Sequence, residues 1–150
     1  MKVGLVWRGR DWDPRLDVPF DLLSQLMELQ EISFYALQQE PSALEHHESF
    51  KTILPRGADA LTTARVMQSL DLVVSIDSMP AHLAGALGVP TWTLLQKDAD
   101  WRWMSGRDDS PWYPTMRLFR QQQAGDWQPV VAQVQTELRK VLLSRKLHLS

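Results

Sequence analysis

The stretch that decides the fold covers residues 70–95 and reads LDLVVSIDSMPAHLAGALGVPTWTLL. Its first part, 70–76, is almost continuously apolar and rich in β-branched residues, which is typical of a strand buried on both faces of a parallel sheet. Pro80 suits the first turn of a helix, where no intrahelical bond needs its missing N–H, and Gly88 ends that helix. Residues 91–95 then predict the next strand. The stretch therefore predicts a strand, a polar tip, a short helix, a tight turn and a second strand.

The polar tip, Asp77 and Ser78, is the first candidate site. Open α/β sheets bind ligands at the carboxyl ends of their strands. The helix that follows offers unpaired N–H groups and the positive end of its dipole, and both attract phosphate. Ser78 adds a hydroxyl donor, and His82 on the first turns of the helix can hydrogen-bond a phosphate or sugar oxygen. Helix capping by Asp77 and Ser78, with His82 bridging helix and loop, explains the same residues and stays an alternative.

Length and composition restrict the class of protein. The chain has 150 residues, which fits a single domain over 1–150 with a substantial core. A formal charge of −2 gives no reason to expect nucleic acid or an acidic membrane surface as a partner, and without cysteine there are no disulfides or thiolate metal sites. No apolar run approaches the roughly 20 residues that span a bilayer, and no secretory signal pattern precedes the first strand. A cytoplasmic domain is therefore expected.

The first predicted strand, KVGLVW at 2–7, leads into an arginine-rich loop. A loop that leaves the first strand of a doubly wound sheet reaches the same edge as the polar tip. Gly9 lets the backbone approach a ligand closely. Guanidinium groups match phosphate bidentately, so the loop arginines are candidates for an anionic ligand, with pairing to neighbouring aspartates as the alternative. These arginines are Arg8, Arg10 and Arg15.

The remaining pattern predicts alternating helices and strands. Amphipathic helices are expected over 19–29, 59–70 and 126–145, and strands over 32–37, 50–54 and 116–120. Gln38 lies at the ligand-side end of the second strand and joins the candidate site. His46 and His47 are adjacent, so they point apart on any regular element, and no metal site is expected there.

A long aromatic and charged connection, QKDADWRWMSGRDDSPWYPT, follows the second strand of the deciding stretch. Connections of this length are usually functional or partly helical. Its large aromatic side chains can stack on a base or a sugar, or they can fill the gap between the sheet and the last helix, which is the commoner fate of tryptophan. These residues are Trp101, Trp103, Trp112 and Tyr113.

Four segments, SIDSMPAHLAGALGVPTWTLL, DWRW, DSPWYPTMRLFRQ and GDW, together resemble the C-terminal half of a GT-B glycosyltransferase. The similarity is strongest to heptosyltransferase-like domains, including those that follow tetratricopeptide repeats in bacterial proteins. It covers nearly the whole chain, from VGLVWRG to the last helix. In that family, this domain binds the nucleotide-sugar donor and a partner domain holds the acceptor.

The resemblance implies a set of donor-binding residues. The family signature D-[ST]-G-x-x-H corresponds to Asp77, Ser78 and His82, whose groups contact the diphosphate and the sugar of the donor. Met79 stands at the small-residue position of that signature, and the end of the first strand corresponds to Trp7, Arg8 and Gly9. No catalytic residue is assigned, because such enzymes take the general base mostly from the N-terminal domain. The expected substrate-binding residues are Asp77, Ser78, Met79, His82, Arg8, Gly9 and Gln38.

We therefore expect an α/β, Rossmann-like three-layer sandwich with a mainly parallel sheet, one half of a GT-B fold. Its expected partners are a nucleoside-diphosphate sugar and an N-terminal acceptor-binding domain or partner chain, with no nucleic acid and no membrane span. No metal or cofactor is expected, because the helix terminus, Ser78 and nearby arginines can hold the charge of the leaving diphosphate. Two alternatives are a non-catalytic nucleotide-binding module and a dinucleotide-dependent oxidoreductase domain. The absence of G-x-G-x-x-G after the first strand argues against the second.

Overall fold

The computed structural model describes residues 1–9, 13–38, 50–55 and 57–149. Within these ranges one sheet runs in the order β3-β2-β1-β4-β5-β6, and every neighbouring pair is parallel. This is the strand order of a doubly wound nucleotide-binding sheet, in which the winding reverses between β1 and β4. The predicted α/β, Rossmann-like class is confirmed. The strands are β1 (Lys2–Val6), β2 (Ser33–Ala36), β3 (Phe50–Thr52), β4 (Leu72–Ile76), β5 (Thr91–Leu95) and β6 (Met116–Arg120).

Helices cover both faces of the sheet. Right-handed crossovers on either side of the winding reversal place the β1–β2 and β4–β5 connections on opposite faces. In agreement, α1 packs against α4, whereas α2 packs against α3. The described helices are α1 (Phe20–Leu23), α2 (Ala60–Gln68), α3 (Met79–Ala86) and α4 (Gln128–Leu149), with short 3-10 helices at Pro14–Leu16, Ser24–Glu28 and Trp101–Trp103.

The deciding stretch folds as predicted, because its apolar pattern matches its position. Every residue of β4 and of β5 is buried, as expected for central strands covered on both faces. In α4, the helix predicted over 126–145, four apolar residues at helical spacing are all buried: Val130, Val131, Val134 and Leu138. Asp59 accepts a hydrogen bond from the Thr62 amide at 2.8 Å and so caps α2.

The helix predicted over 19–29 is shorter than expected and tightens into a 3-10 helix from Ser24 onward. The Ser24 hydroxyl donates to the Asp21 carbonyl, three residues earlier, at 2.6 Å. Such side-chain bonds to the local backbone compete with the regular helical ladder. The predicted strand over 50–54 likewise ends early, at Thr52.

A second hydrophobic cluster lies apart from the main core and anchors the aromatic connection. It consists of Leu95, Trp103, Met116 and Leu118, with Tyr113 packed against it. Within the described ranges, no helix combines the length and apolar character needed to cross a membrane. The predictions made for Arg10, His46 and His47 lie outside the described residues.

Candidate functional site

A cleft of about 640 Å³ opens beyond the carboxyl end of β4, beside the winding reversal. Three parts of the chain form it: the loop after β1, the start of α3, and the connection after β5. Four of the predicted site residues line it, namely Asp77, Ser78, Met79 and His82. The other lining residues are Leu16, Asp100, Trp101, Arg102, Trp112 and Tyr113.

Ser78 occupies the N-cap position of α3, but its side chain makes no capping hydrogen bond. Its hydroxyl donates to the Ile76 carbonyl at 3.1 Å and lies 3.0 Å from the Ser75 hydroxyl. The capping alternative is therefore wrong for Ser78. The Met79 amide finds no acceptor within the described parts of the chain, so it is left for a ligand, while Pro80 contributes no N–H.

Tyr113 and Trp103 position the imidazole of His82, and the Asp77 carboxylate lies nearby. Nδ1 lies 3.0 Å from the Tyr113 hydroxyl. The ring stacks on Trp103 with a centroid separation of 5.0 Å and an interplanar angle of 21°. Nε2 lies 3.9 Å from an Asp77 carboxylate oxygen, which is too long for a hydrogen bond. With Nδ1 engaged, Nε2 is the ring nitrogen that remains for a ligand.

Tyr113 reaches His82 because α3 carries a glycine one turn later. A Cβ atom at Gly85 would lie 2.6 Å from the Tyr113 ring, closer than any real contact. Residues three apart share one helix face, so a ring that covers Gly85 can also touch His82. Sequence reasoning considered Tyr113 for stacking or core filling and missed this contact. The spacing of His82 and Gly85 was the available signal.

Gln38 clamps the loop that leaves β1. Its side-chain oxygen accepts from the Arg8 amide at 3.2 Å, and its side-chain nitrogen donates to the Arg8 carbonyl at 3.0 Å. The Gly9 amide donates to Asp17 at 2.8 Å. Of the residues described here, Arg8, Gly9 and Gln38 are not among those that line the cleft. A Cβ atom at Gly9 would lie 3.8 Å from the side chain of Ile76, the residue before Asp77.

Two other residues of this region have structural roles. Trp7 is buried and its ring lies 5.2 Å from that of Phe50, centroid to centroid. Arg15 donates to both carboxylate oxygens of Asp13, at 2.9 and 3.0 Å, and these hydrogen bonds hold the pKa of Asp13 below its usual value. The aspartate-pairing alternative is therefore correct for Arg15.

The tryptophans of the aromatic connection divide between core and cleft. Trp103 is fully buried, whereas Trp101 and Trp112 are 74% and 59% exposed and line the cleft. The Trp112 indole N–H donates to the Arg102 carbonyl at 2.9 Å. Asp100 accepts from the Arg102 amide at 3.0 Å, which caps the 3-10 helix between them.

Arg120, the last residue of β6, stabilises the end of the 3-10 helix at Trp101–Trp103. Its guanidinium donates to the Trp103 carbonyl at 2.7 Å and also to the Met104 carbonyl. Burial lowers the pKa of Arg120, but an arginine stays charged in a protein. Met104 has a φ of +56°, a conformation that costs a non-glycine residue about 1–3 kcal/mol. Sequence reasoning missed Arg120, whose only signal was a charge at the end of a buried strand.

Comparison with known proteins gives two matches. The sequence profile of Glycosyltransferase family 9 (heptosyltransferase) matches residues 37–133. The chain is also similar to Protein FlbA of Caulobacter vibrioides, with 31% identity over 150 residues that cover 92% of this chain and 25% of that protein. The chain thus spans about a quarter of the length of this relative. The range matched by the family contains α3 and the aromatic connection, and leaves β1 outside.

Proposed function

Because the chain belongs to glycosyltransferase family 9, the heptosyltransferase family, we propose that it is the donor-binding domain of a glycosyltransferase. Its ligand is a nucleoside-diphosphate sugar, bound in the cleft at the start of α3. The observation that carries this proposal is that Ser78, Met79 and His82 line one cleft, with the Met79 amide and Nε2 of His82 left without a hydrogen-bond partner among the described residues. Hydrogen-bond donors and the positive end of a helix dipole favour a diphosphate there.

The same groups suit the chemistry of glycosyl transfer. The reaction displaces a nucleoside diphosphate from the anomeric carbon, so negative charge grows on the leaving phosphate. Donors fixed in advance stabilise such developing charge, because they need no reorganisation at the moment of reaction. Asp77 repels phosphate, and its carboxylate is better placed to accept from a sugar hydroxyl.

The acceptor and the general base belong to a second domain in this proposal. That domain is an N-terminal acceptor-binding domain of the same protein or a partner chain, and tetratricopeptide repeats are one form that the preceding region can take. The exposed part of the cleft lining supports this view, because Trp101 and Trp112 are 74% and 59% exposed. The proposal keeps the cytoplasm as the compartment expected from the sequence.

Thermal unfolding with a panel of nucleotides tests the proposal. We expect one of ADP, UDP, GDP and CDP, or a sugar conjugate of one of them, to bind with roughly millimolar affinity. Several-fold saturation of such a site stabilises the fold by about 1 kcal/mol. For this chain length the melting temperature then rises by about 2–4 °C. If no compound moves the transition and titration calorimetry detects no heat of binding, the donor-site proposal is wrong.

A further inference from the structure

We propose that Trp101 and Trp112 form a sugar-binding wall of the cleft, on which the ring of the donor sugar stacks. Asp77 and Asp100 accept hydrogen bonds from its hydroxyls. This inference rests on the proposed function and extends it, since it assigns the two ends of the cleft to different parts of the ligand. The start of α3 takes the diphosphate, and the connection after β5 takes the sugar.

The exposure of the two indoles is the first observation. Trp101 and Trp112 are 74% and 59% exposed, whereas Trp103, in the same turn as Trp101, is fully buried. Burial of an indole is strongly favourable, so the connection after β5 gives up a large stabilisation at two positions. Both line the cleft together with Met79, itself 61% exposed, so three large apolar side chains belong to the lining. Exposed apolar patches rimmed by polar groups mark binding sites.

The wall is held in place before any ligand arrives. The Trp112 indole N–H is fixed by the Arg102 carbonyl at 2.9 Å, and the Arg102 guanidinium lies 5.5 Å from the Trp101 ring centroid. Asp100 holds the same arginine through its backbone amide at 3.0 Å and its guanidinium at 3.4 Å. At the buried end of the turn, the Trp103 carbonyl accepts a hydrogen bond from Arg120. Aromatic side chains fixed in this way lose little conformational entropy on binding.

The chemistry of the lining favours a sugar over a base or a phosphate. The side chains of Asp77 and Asp100 are 20% and 39% exposed, so both carboxylates can meet a ligand. A carboxylate accepts hydrogen bonds only, which suits hydroxyl groups and repels phosphate. A pyranose combines an apolar C–H face with a rim of hydroxyls, and the cleft combines flat indoles with carboxylates. A nucleobase would use the flat faces alone.

Titration calorimetry on paired ligands tests this assignment. The pairs are UDP with UDP-glucose, GDP with GDP-mannose and ADP with ADP-heptose, each measured on the wild-type chain, Trp101→Ala, Trp112→Ala and Asp100→Asn. Leu143→Ala is the matched control, since Leu143 is 61% exposed on α4, outside the cleft lining. For the pair that binds, we expect each tryptophan variant to lower the affinity for the nucleotide sugar by about tenfold. The affinity for the free nucleoside diphosphate should fall by less than about twofold. Asp100→Asn should likewise lower the affinity for the nucleotide sugar more than the affinity for the free diphosphate.

The contrary outcomes separate the two proposals. Equal losses for the diphosphate and its sugar conjugate would show that the indoles stack on the base, and unchanged affinities for both would show that the wall does not touch the ligand. Either result overturns the inference and leaves the donor-site proposal standing. If none of these ligands binds the wild-type chain, and CDP and its sugar conjugates do not bind either, both proposals are overturned. Asp100→Asn keeps the turn, because asparagine also caps helices, so the test survives if a tryptophan variant does not fold.

Discussion

His82 contacts Tyr113 and Trp103 and leaves Nε2 for the proposed ligand, and each of these roles changes what its replacement does. His82→Ala removes Nε2, the ring nitrogen proposed to contact the ligand. It also exposes part of the Trp103 ring and leaves the Tyr113 hydroxyl without its hydrogen-bond partner. We expect nucleotide affinity to fall about tenfold, which is about 1.4 kcal/mol. We also expect the free energy of unfolding to fall by about 1 kcal/mol.

The control for this change is His82→Asn, which keeps a polar group near the position of Nδ1 and so preserves the bond to Tyr113. It should lose the same affinity with a smaller loss of stability. Titration calorimetry and denaturant unfolding measure the two quantities separately. Normal nucleotide binding by both variants would make His82 a structural residue.

Gly85 offers a test whose sign depends on competing effects. Alanine in a helix interior is favoured over glycine by about 1 kcal/mol. At this position, however, its Cβ would lie 2.6 Å from the Tyr113 ring, and overpacking of this kind costs about 1–3 kcal/mol. We therefore expect Gly85→Ala to be destabilising and to weaken nucleotide binding, because the displaced tyrosine releases His82.

A double-mutant cycle with Tyr113→Ala checks the cause. Once the ring is gone, Gly85→Ala should become neutral or stabilising by up to about 1 kcal/mol in the free energy of unfolding. If Gly85→Ala is equally destabilising with and without the tyrosine, the overlap with Tyr113 is not the reason that glycine is needed.

At the scale of elements, the start of α3 is built without a side-chain cap. Loss of a serine cap typically costs about 0.5–2 kcal/mol. Here the Ser78 hydroxyl instead bonds the Ile76 carbonyl, which Ser75 also satisfies at 2.8 Å. We therefore expect Ser78→Ala to change the free energy of unfolding by less than about 0.5 kcal/mol. We also expect it to weaken nucleotide binding by roughly fivefold, because Ser75 keeps the Ile76 carbonyl satisfied when the Ser78 hydroxyl turns to a phosphate. Urea unfolding with calorimetry decides this, and a loss above about 1 kcal/mol would restore the capping role.

The fold was predictable where local pattern and tertiary position agree. In the stretch over 70–95, the apolar run, Pro80 and Gly88 each mark one boundary, and the observed β4, α3 and β5 follow. The helix predicted over 19–29 failed in its second half, because a single hydroxyl at Ser24 bonds the local backbone and hydrophobic periodicity does not report such bonds.

The candidate site was predictable only in part, for a physical reason. Asp77, Ser78 and His82 are close in sequence, so their spacing on a strand tip and helix indicates one site. Tyr113 lies 31 positions from His82, and only the folded connection after β5 brings them together. Which tryptophans face solvent is likewise decided by the second core cluster, which takes Trp103.

At the scale of the whole molecule, the proposed function gives this domain the donor side of the cleft and leaves the acceptor to a second domain. We expect the isolated chain to transfer no sugar to any acceptor, because an unpositioned acceptor forgoes much of the rate that orientation supplies. Incubation with a radiolabelled donor and a panel of acceptors, with the donor alone as the control, measures this. Slow release of free sugar would agree with the expectation, whereas a glycosylated acceptor would contradict it.

The purely parallel sheet also sets the order in which the chain can acquire its structure. Parallel strands pair only across a crossover connection, so each pairing closes a long loop. The loss of loop entropy comes before the stabilising contacts form, and such topologies therefore fold slowly. β1 joins β4 across 69 positions, from Val3 to Leu72, whereas β4 joins β5 across 18, from Val73 to Thr91. β2 and β3 are separated by 16 positions, but β3 has three residues, of which Phe50 is half-buried and the other two are exposed. The β4–α3–β5 unit is therefore the natural folding nucleus, and substitutions within it should slow refolding, whereas those in β3 should mainly speed unfolding.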